Sequence, residues 1–142
     1  MTKMPAEDRP ALIQRVIAQI RASVPDLQAI YRFGTWGTAA ERMDSDLDIA
    51  VLAGTALDAM KRFDLAAELA RIVGRDVDVA DLRSASSVFR AQVISTGERL
   101  FATDERASGI FEDFVYADYA RLNEERKYIL RDIRDRGSVY GG

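Results

Sequence analysis

The sequence contains neither cysteine nor histidine. Without cysteine, disulfides and thiolate metal sites are excluded, and a cytoplasmic setting fits best. Without histidine, Ser–His and Cys–His triads, imidazole zinc sites and histidine acid–base chemistry are excluded as well. Any bound metal ion must therefore lie among oxygen ligands, which favours a hard cation such as Mg²⁺ or Mn²⁺.

The sequence also lacks an excess of positive charge and any long apolar run. The formal net charge of the 142 residues is −3, so we expect no direct binding to nucleic acid through overall charge. No run approaches roughly 18 apolar residues, so we expect no membrane partner. With 48% hydrophobic residues, the chain has the length and composition of one globular domain.

Hydrophobic periodicity predicts eight elements in the order helix, strand, strand, helix, strand, helix, strand, helix. Helices are predicted over 8–23, 57–73, 84–96 and 110–134, and strands over 29–33, 47–53, 76–82 and 98–102. The strand "LDIAVLA" is apolar almost throughout, which is typical of a strand buried on both faces. The pattern indicates a small α/β or α+β protein with one core.

The predicted apolar stripe of the second helix is Leu57, Met60, Leu65, Leu69, Ile72 and Val73, with Gly74 as its C-terminal cap. That of the last helix is Phe111, Val115, Tyr119, Leu122, Ile129 and Ile133. We expect the last stripe to pack on the sheet of the same chain. As an alternative, its other aromatics, Tyr116 and Tyr128, and the charged face "ERKYILRDIRDR" contact a partner.

The stretch "FGTWGTAAERMDSDLDIAVLA" places Asp46 and Asp48 at the start of the central strand. Side chains alternate along a strand, so these two point the same way, with Cα atoms roughly 7 Å apart. Asp76 and Asp78 repeat the pattern in the next predicted strand. If the strands are neighbours, the carboxylates converge and need a cation, because like charges at short range raise one another's pKa.

Gly34 and Thr35 follow a predicted strand and precede a stretch that could begin a helix. A glycine lets the backbone approach a ligand closely, and a helix start with a hydroxyl offers donors to phosphate oxygens. Together with the aspartates, this favours metal-assisted chemistry on a nucleotide. A lone Asp-x-Asp is also typical of a solvated strand end, so that interpretation stays open.

Gly34–Thr35, ten intervening residues and Asp46–Leu47–Asp48 resemble the signature of the DNA polymerase β-like nucleotidyltransferases. Within that superfamily the chain resembles the minimal nucleotidyltransferases, and among these the MntA-type antitoxins encoded beside HEPN-domain toxins. The segments "SDLDIAVL", "DVDVADLRSAS" and "QVISTGERLF" carry this resemblance. It implies a nucleotidyltransferase fold and one minimal domain over 1–142, with a core at about 10–103 and a C-terminal helix at about 110–134.

The resemblance also implies roles for individual residues. Asp46, Asp48 and Asp78 would hold two Mg²⁺ ions, and Gly34, Thr35, Arg42 and Asp46 would bind ATP. Two departures from the family stand in the nucleotide loop. Thr35 replaces the usual serine, which keeps the hydroxyl but adds a stiff β-branch, and Arg42 is the only cation of the loop.

Asp76 and Asp81 compete with Asp78 for the role of third carboxylate. Asp81 has the opposite parity to Asp78, so its side chain should face away. Asp76 has the right parity but lies at the predicted start of the strand, where a solvated end is the simpler interpretation. We favour Asp78.

The resemblance implies a partner as well: AMP would pass to a tyrosine of a cognate HEPN ribonuclease toxin and disable it. Two alternatives stay open. The chain could neutralise its partner by stoichiometric binding with weak or lost catalysis, or it could modify a small molecule. The aspartates favour catalysis, and the absence of an acceptor-holding region beyond the tail helix disfavours a small-molecule acceptor.

Overall fold

The computed structural model describes residues 9–34 and 46–139, with side chains to residue 136. Its elements alternate as the sequence predicts, and the α/β fold class is confirmed. In chain order they are α1 (Arg9–Ser23), β1 (Leu27–Phe33), β2 (Leu47–Ala53), α2 (Ala59–Val73), β3 (Val77–Asp81), α3 (Ser87–Thr96), β4 (Glu98–Ala102) and α4 (Glu105–Val139).

The four strands form one mixed sheet in the order β3-β2-β1-β4. Strand β1 is antiparallel to β2 and β4, whereas β2 and β3 are parallel. Every residue of β2 except Asp48 is buried, which confirms the predicted burial on both faces. Asp48 is therefore the one polar side chain on an otherwise apolar central strand.

Each face of the sheet has its own apolar cluster. Helices α1 and α2 cover the face that carries Leu47, Ile49 and Val79. Helix α3 and the start of α4 cover the other face, which carries Ala50 and Leu52. Because side chains alternate along a strand, Asp48 and Asp78 point toward the face covered by α3 and α4.

Capping interactions set the helix ends. The side chain of Asp58 accepts a hydrogen bond from Lys61 N at the start of α2, and the predicted cap Gly74 ends it with a φ of +71°. Helix α3 begins at Ser87 rather than at the predicted residue 84. Its start is capped by Ser86, and the preceding residues form a turn that wraps the Asp81 carboxylate.

The prediction that Met60 faces inward is wrong, because its side chain is 68% exposed. Successive residues advance by 100° around a helix, so Met60 lies well off the stripe that contains Leu65 and Leu69.

The packing prediction for α4 is half right. Val115 is buried, but Ile129 and Ile133, which were predicted to face inward, are 54% and 59% exposed. The 35 residues of α4 span about 50 Å, far longer than strands of five to seven residues. The second half of the helix therefore extends past the sheet that its first half covers.

Helix α4 also begins five residues before the predicted 110, because the Asp104 side chain accepts hydrogen bonds from Arg106 N and Ala107 N. Within the described ranges, no helix combines the length and apolar character needed to cross a membrane.

Candidate active site

Strands β2 and β3 bring two of the predicted carboxylates together. They are neighbours, and their register places Asp48 directly beside Asp78. Adjacent strands lie roughly 4.8 Å apart, and both side chains point to the same face. Asp46 lies just before β2 and is exposed. The sequence predicts that the aspartates converge if their strands are neighbours, and β2 and β3 are neighbours.

The pKa of Asp48 reflects the nearby carboxylates. Its pKa is raised above the usual value for an aspartate, first by burial and then by the negative charges of Asp78 and Asp46. Burial disfavours the charged form, and like charges nearby disfavour it further. The three carboxylates thus interact across the end of two strands, and a cation bound there would relieve their repulsion.

Gly34 lies against the same carboxylate. It follows Phe33, the residue that pairs with Asp48, and has a φ of +78° in the left-handed region. A Cβ atom built on Gly34 would lie only 2.2 Å from Asp48 Oδ2. Only glycine satisfies both the backbone angle and this close approach. The structure therefore joins the glycine of the predicted phosphate loop to the Asp-x-Asp pair.

Asp81 has a different role. It is buried, and its carboxylate accepts hydrogen bonds from Leu57 N, Arg83 N and Ser84 Oγ at 3.2, 3.0 and 2.7 Å. These contacts hold together the loops before α2 and after β3, which confirms that Asp81 faces away from Asp78. Asp76 is exposed and lies just before β3, where its carbonyl oxygen accepts a hydrogen bond from Leu47 N at 3.0 Å.

Thr35 and Arg42, the other predicted nucleotide-binding residues, lie outside the described residues.

The predicted metal ligands fit a hard cation in chemistry. Asp46, Asp48 and Asp78 offer carboxylate oxygens only, which is the donor type that Mg²⁺ prefers. In the described ranges, no three acidic side chains are already arranged to hold an ion.

A groove beside this site was not predicted. It has a volume of about 500 Å³ and runs between α2 and β3, where Arg62, Phe63 and Asp78 are among its lining residues. The sequence held one signal for it: Phe63 is an aromatic residue outside the apolar stripe of α2, and it is 70% exposed. Periodicity assigns such a residue to the surface but does not say what lies beside it.

Comparison with known proteins identifies the family to which the chain belongs. Residues 15–106 match the family model described as "Polymerase beta, Nucleotidyltransferase". The chain is 39% identical over 119 residues to the protein adenylyltransferase MntA of Shewanella oneidensis, an alignment that covers 84% of this chain and 85% of that protein.

Solved structures are similar over most of the chain. One is a tri-AMPylated HEPN toxin of Shewanella oneidensis in complex with its MNT antitoxin, with a TM-score of 0.74, 37% identity, and coverage of 88% of this chain and 98% of that one. Another is a toxin–antitoxin structure with AMP-PNP, with a TM-score of 0.77, 38% identity, and coverage of 86% and 98%. The family resemblance drawn from the sequence is confirmed: the chain belongs to the DNA polymerase β-like nucleotidyltransferases.

Proposed function

We propose that the chain is a Mg²⁺-dependent protein adenylyltransferase that transfers AMP from ATP to a tyrosine of a cognate HEPN-domain toxin and thereby neutralises it. The observation that carries this proposal is the placement of Asp48 beside Asp78 on parallel neighbouring strands, with Gly34 against Asp48. The relatives support the substrate and partner, because they include a protein adenylyltransferase, a complex with an AMP-modified HEPN toxin and a complex with an ATP analogue.

In the reaction, the tyrosine oxygen forms a bond with the α-phosphorus of ATP. The bond from that phosphorus to the pyrophosphate oxygen breaks, pyrophosphate leaves, and the hydroxyl proton is released. Asp46, Asp48 and Asp78 would hold two Mg²⁺ ions, which when bound stabilise charge on the attacking and leaving oxygens.

The chain's own residues position the substrate. Gly34 would let the phosphates approach the backbone beside Asp48, because no side chain occupies that space. Thr35 would donate its hydroxyl to a phosphate oxygen, and Arg42 would add the positive charge of the loop. Asp46 would contribute to nucleotide binding through the metal.

The remaining parts of the proposal concern the chain as a whole. Residues 1–142 would form a single minimal nucleotidyltransferase domain, and an ATP-dependent reaction on a ribonuclease toxin suits the cytoplasm. The alternative mechanism is neutralisation by stoichiometric binding.

The two mechanisms differ in turnover, which gives the test. The ribonuclease activity of the HEPN protein is measured with this chain at one-twentieth of its concentration, with and without ATP and Mg²⁺. If the chain acts catalytically, the ribonuclease activity should be lost completely, and this loss should require ATP. Loss of only about one-twentieth of the activity, equal with and without ATP, would contradict the proposal and support stoichiometric binding.

A further inference from the structure

Within residues 9–34 and 46–139, no strand lies against the outer edge of β3, which is beside the candidate active site. In a parallel pair, alternate residues of a strand bond to the neighbour. Leu47 N donates to Asp76 O and Leu82 N donates to Val51 O, so the even-numbered residues of this segment pair with β2. The backbone groups of Val77 and Val79 therefore point outward, and in the described ranges β3 is the last strand on this side.

This edge forms one wall of the groove, and α2 forms the other. Four alanines keep the α2 wall low and leave room for an incoming chain: Ala59, Ala66, Ala67 and Ala70. Phe63 offers an exposed ring. The Nε–H of Arg62 is buried and has no hydrogen-bond partner in the described part of the chain. A buried donor without a partner costs free energy, and the Arg62 side chain would recover it by turning toward an acceptor in the groove.

An extended segment added to this edge would have two faces. Its alternate side chains would point toward the face of Asp48 and Asp78, and the intervening ones into the groove toward α2. A hydroxyl-bearing residue on the first face would therefore reach the carboxylates, while its sequence neighbours contact Phe63 and Arg62. The alternation of side chains along an added strand would therefore place an acceptor hydroxyl on the same face as Asp48 and Asp78.

We propose that the groove between α2 and β3 binds the acceptor segment of the HEPN partner as an added strand, with the acceptor tyrosine facing Asp78. The flanking side chains of that segment would be one apolar residue against Phe63 and one acidic residue that accepts from Arg62. This inference rests on the proposed function and adds to it the surface that selects the acceptor.

Two observations favour the partner segment over a second copy of this chain. Asp78 belongs to both the carboxylate site and the groove, so whatever fills the groove lies beside the reacting atoms. The positive charge of Arg62 favours an acidic group on the partner. A second copy would instead present the same edge of α2 and β3, which carries another Arg62. Strand addition of this kind obtains affinity from backbone hydrogen bonds and specificity from alternate side chains.

The first test compares substitutions inside and outside the groove. Phe63→Glu and Arg62→Glu alter its wall, and Met60→Glu and Lys61→Glu make matched changes at exposed positions of the same helix that do not line it. We expect the rate of AMP transfer to the HEPN protein to fall at least tenfold in the first pair and to stay within twofold of the parent in the second.

Affinity for Mg²⁺ and α,β-methylene ATP, which cannot transfer its α-phosphoryl group, should be unchanged in all four variants. Transfer at the parent rate by both groove variants, or an equal loss in the controls, would overturn the inference. Absence of transfer in the parent protein would instead contradict the proposed function.

A second measurement uses the unaltered protein. Hydrogen exchange at the Val77 and Val79 amides should slow at least tenfold when the HEPN partner and α,β-methylene ATP are bound, because an added strand would accept from both. Unchanged exchange in the complex would overturn the inference. So would slowing in the chain alone as its concentration rises, which would assign the groove to a second copy.

Discussion

At the scale of single residues, the candidate site depends on one carboxylate and one glycine. Asp48 is the only side chain of β2 that is not buried; it interacts electrostatically with Asp46 and Asp78 and lies against Gly34. Alternation along a strand predicts the shared face of Asp46 and Asp48 from the sequence alone. The pairing of Asp48 with Asp78, by contrast, depends on strand order, which no local pattern encodes.

Asp48→Asn should abolish Mg²⁺-dependent AMP transfer, by at least a thousandfold, and leave the fold intact. The amide keeps the shape of the carboxylate but removes the negative charge that a cation requires. Because it also relieves repulsion from Asp46 and Asp78, thermal stability without metal should be equal or higher. Asp113→Asn, at an exposed position of α4, is the control and should retain full transfer.

Gly34→Ala should reduce AMP transfer more than a hundredfold, since its Cβ would displace the Asp48 carboxylate. Gly74→Ala is a close control: Gly74 also has a positive φ, of +71°, but a Cβ there meets nothing within 4 Å. Both variants should lose about 1 kcal/mol of unfolding free energy through backbone strain. Equal transfer rates in the two variants, measured with radiolabelled ATP, would contradict the assigned contact.

At the scale of elements, helix periodicity identifies an apolar stripe but not what lies against it. The stripe of α4 is continuous in sequence, yet Val115 is buried and Ile133 is exposed, because the sheet beneath the helix ends first. How far the sheet extends beneath the helix depends on the tertiary structure, not on the sequence of the helix. The same limit explains why Arg62, a charged residue on an ordinary helix face, gave no signal.

The two halves of α4 should respond differently to substitution. Ile129→Ser and Leu130→Ser lie in the exposed half, where we expect losses below about 0.5 kcal/mol in unfolding free energy. Val115→Ala, in the buried half, should lose about 2 kcal/mol. Urea denaturation of the isolated chain measures both, and a large loss from the exposed pair would mean that the distal half packs on its own chain.

A partly buried polar contact links the first half of α4 to the sheet. Tyr31 Oη donates to Glu112 Oε2 at 2.7 Å, and Arg99 Nη1 donates to the same oxygen at 2.9 Å. Tyr31→Phe should cost about 1 kcal/mol of unfolding free energy without reducing AMP transfer, because it leaves the Glu112 carboxylate with Arg99 as a partner. Thermal and urea unfolding would measure this loss.

The same contact predicts a pH dependence. Burial, the hydrogen bond to Glu112 and the charge of Glu112 all raise the pKa of Tyr31 well above its usual value. A raised pKa means that the folded state favours the protonated phenol. The contribution of the Tyr31 phenol to the free energy of unfolding is therefore fully present below the unfolded-state pKa of about 10. It is lost progressively as the pH rises above that value. Between about pH 9.5 and 11.5, the parent should lose stability more steeply than Tyr31→Phe.

At the scale of the whole molecule, the sheet order turns separate sequence motifs into one site. Element order and the burial of β2 are predictable from periodicity, because both depend on local alternation. The strand bounds are less so: β1 is two residues longer than predicted and β3 two residues shorter. The parallel pairing of β2 with β3 is not predictable in this way, since it depends on how α2 crosses between them. That crossover places Asp78 beside Asp48 and, among the residues that the structure describes, leaves β3 without a neighbour on its outer side, so it creates both the carboxylate cluster and the groove.

The most direct measurement is the intact mass of the HEPN protein after incubation with this chain, ATP and Mg²⁺, in parallel with Asp48→Asn. The account predicts a gain of one or more AMP masses with the parent chain, and none with the variant, although both chains bind the partner. A partner that keeps its mass while it is bound and inactive, or one that is modified equally by Asp48→Asn, would contradict the account.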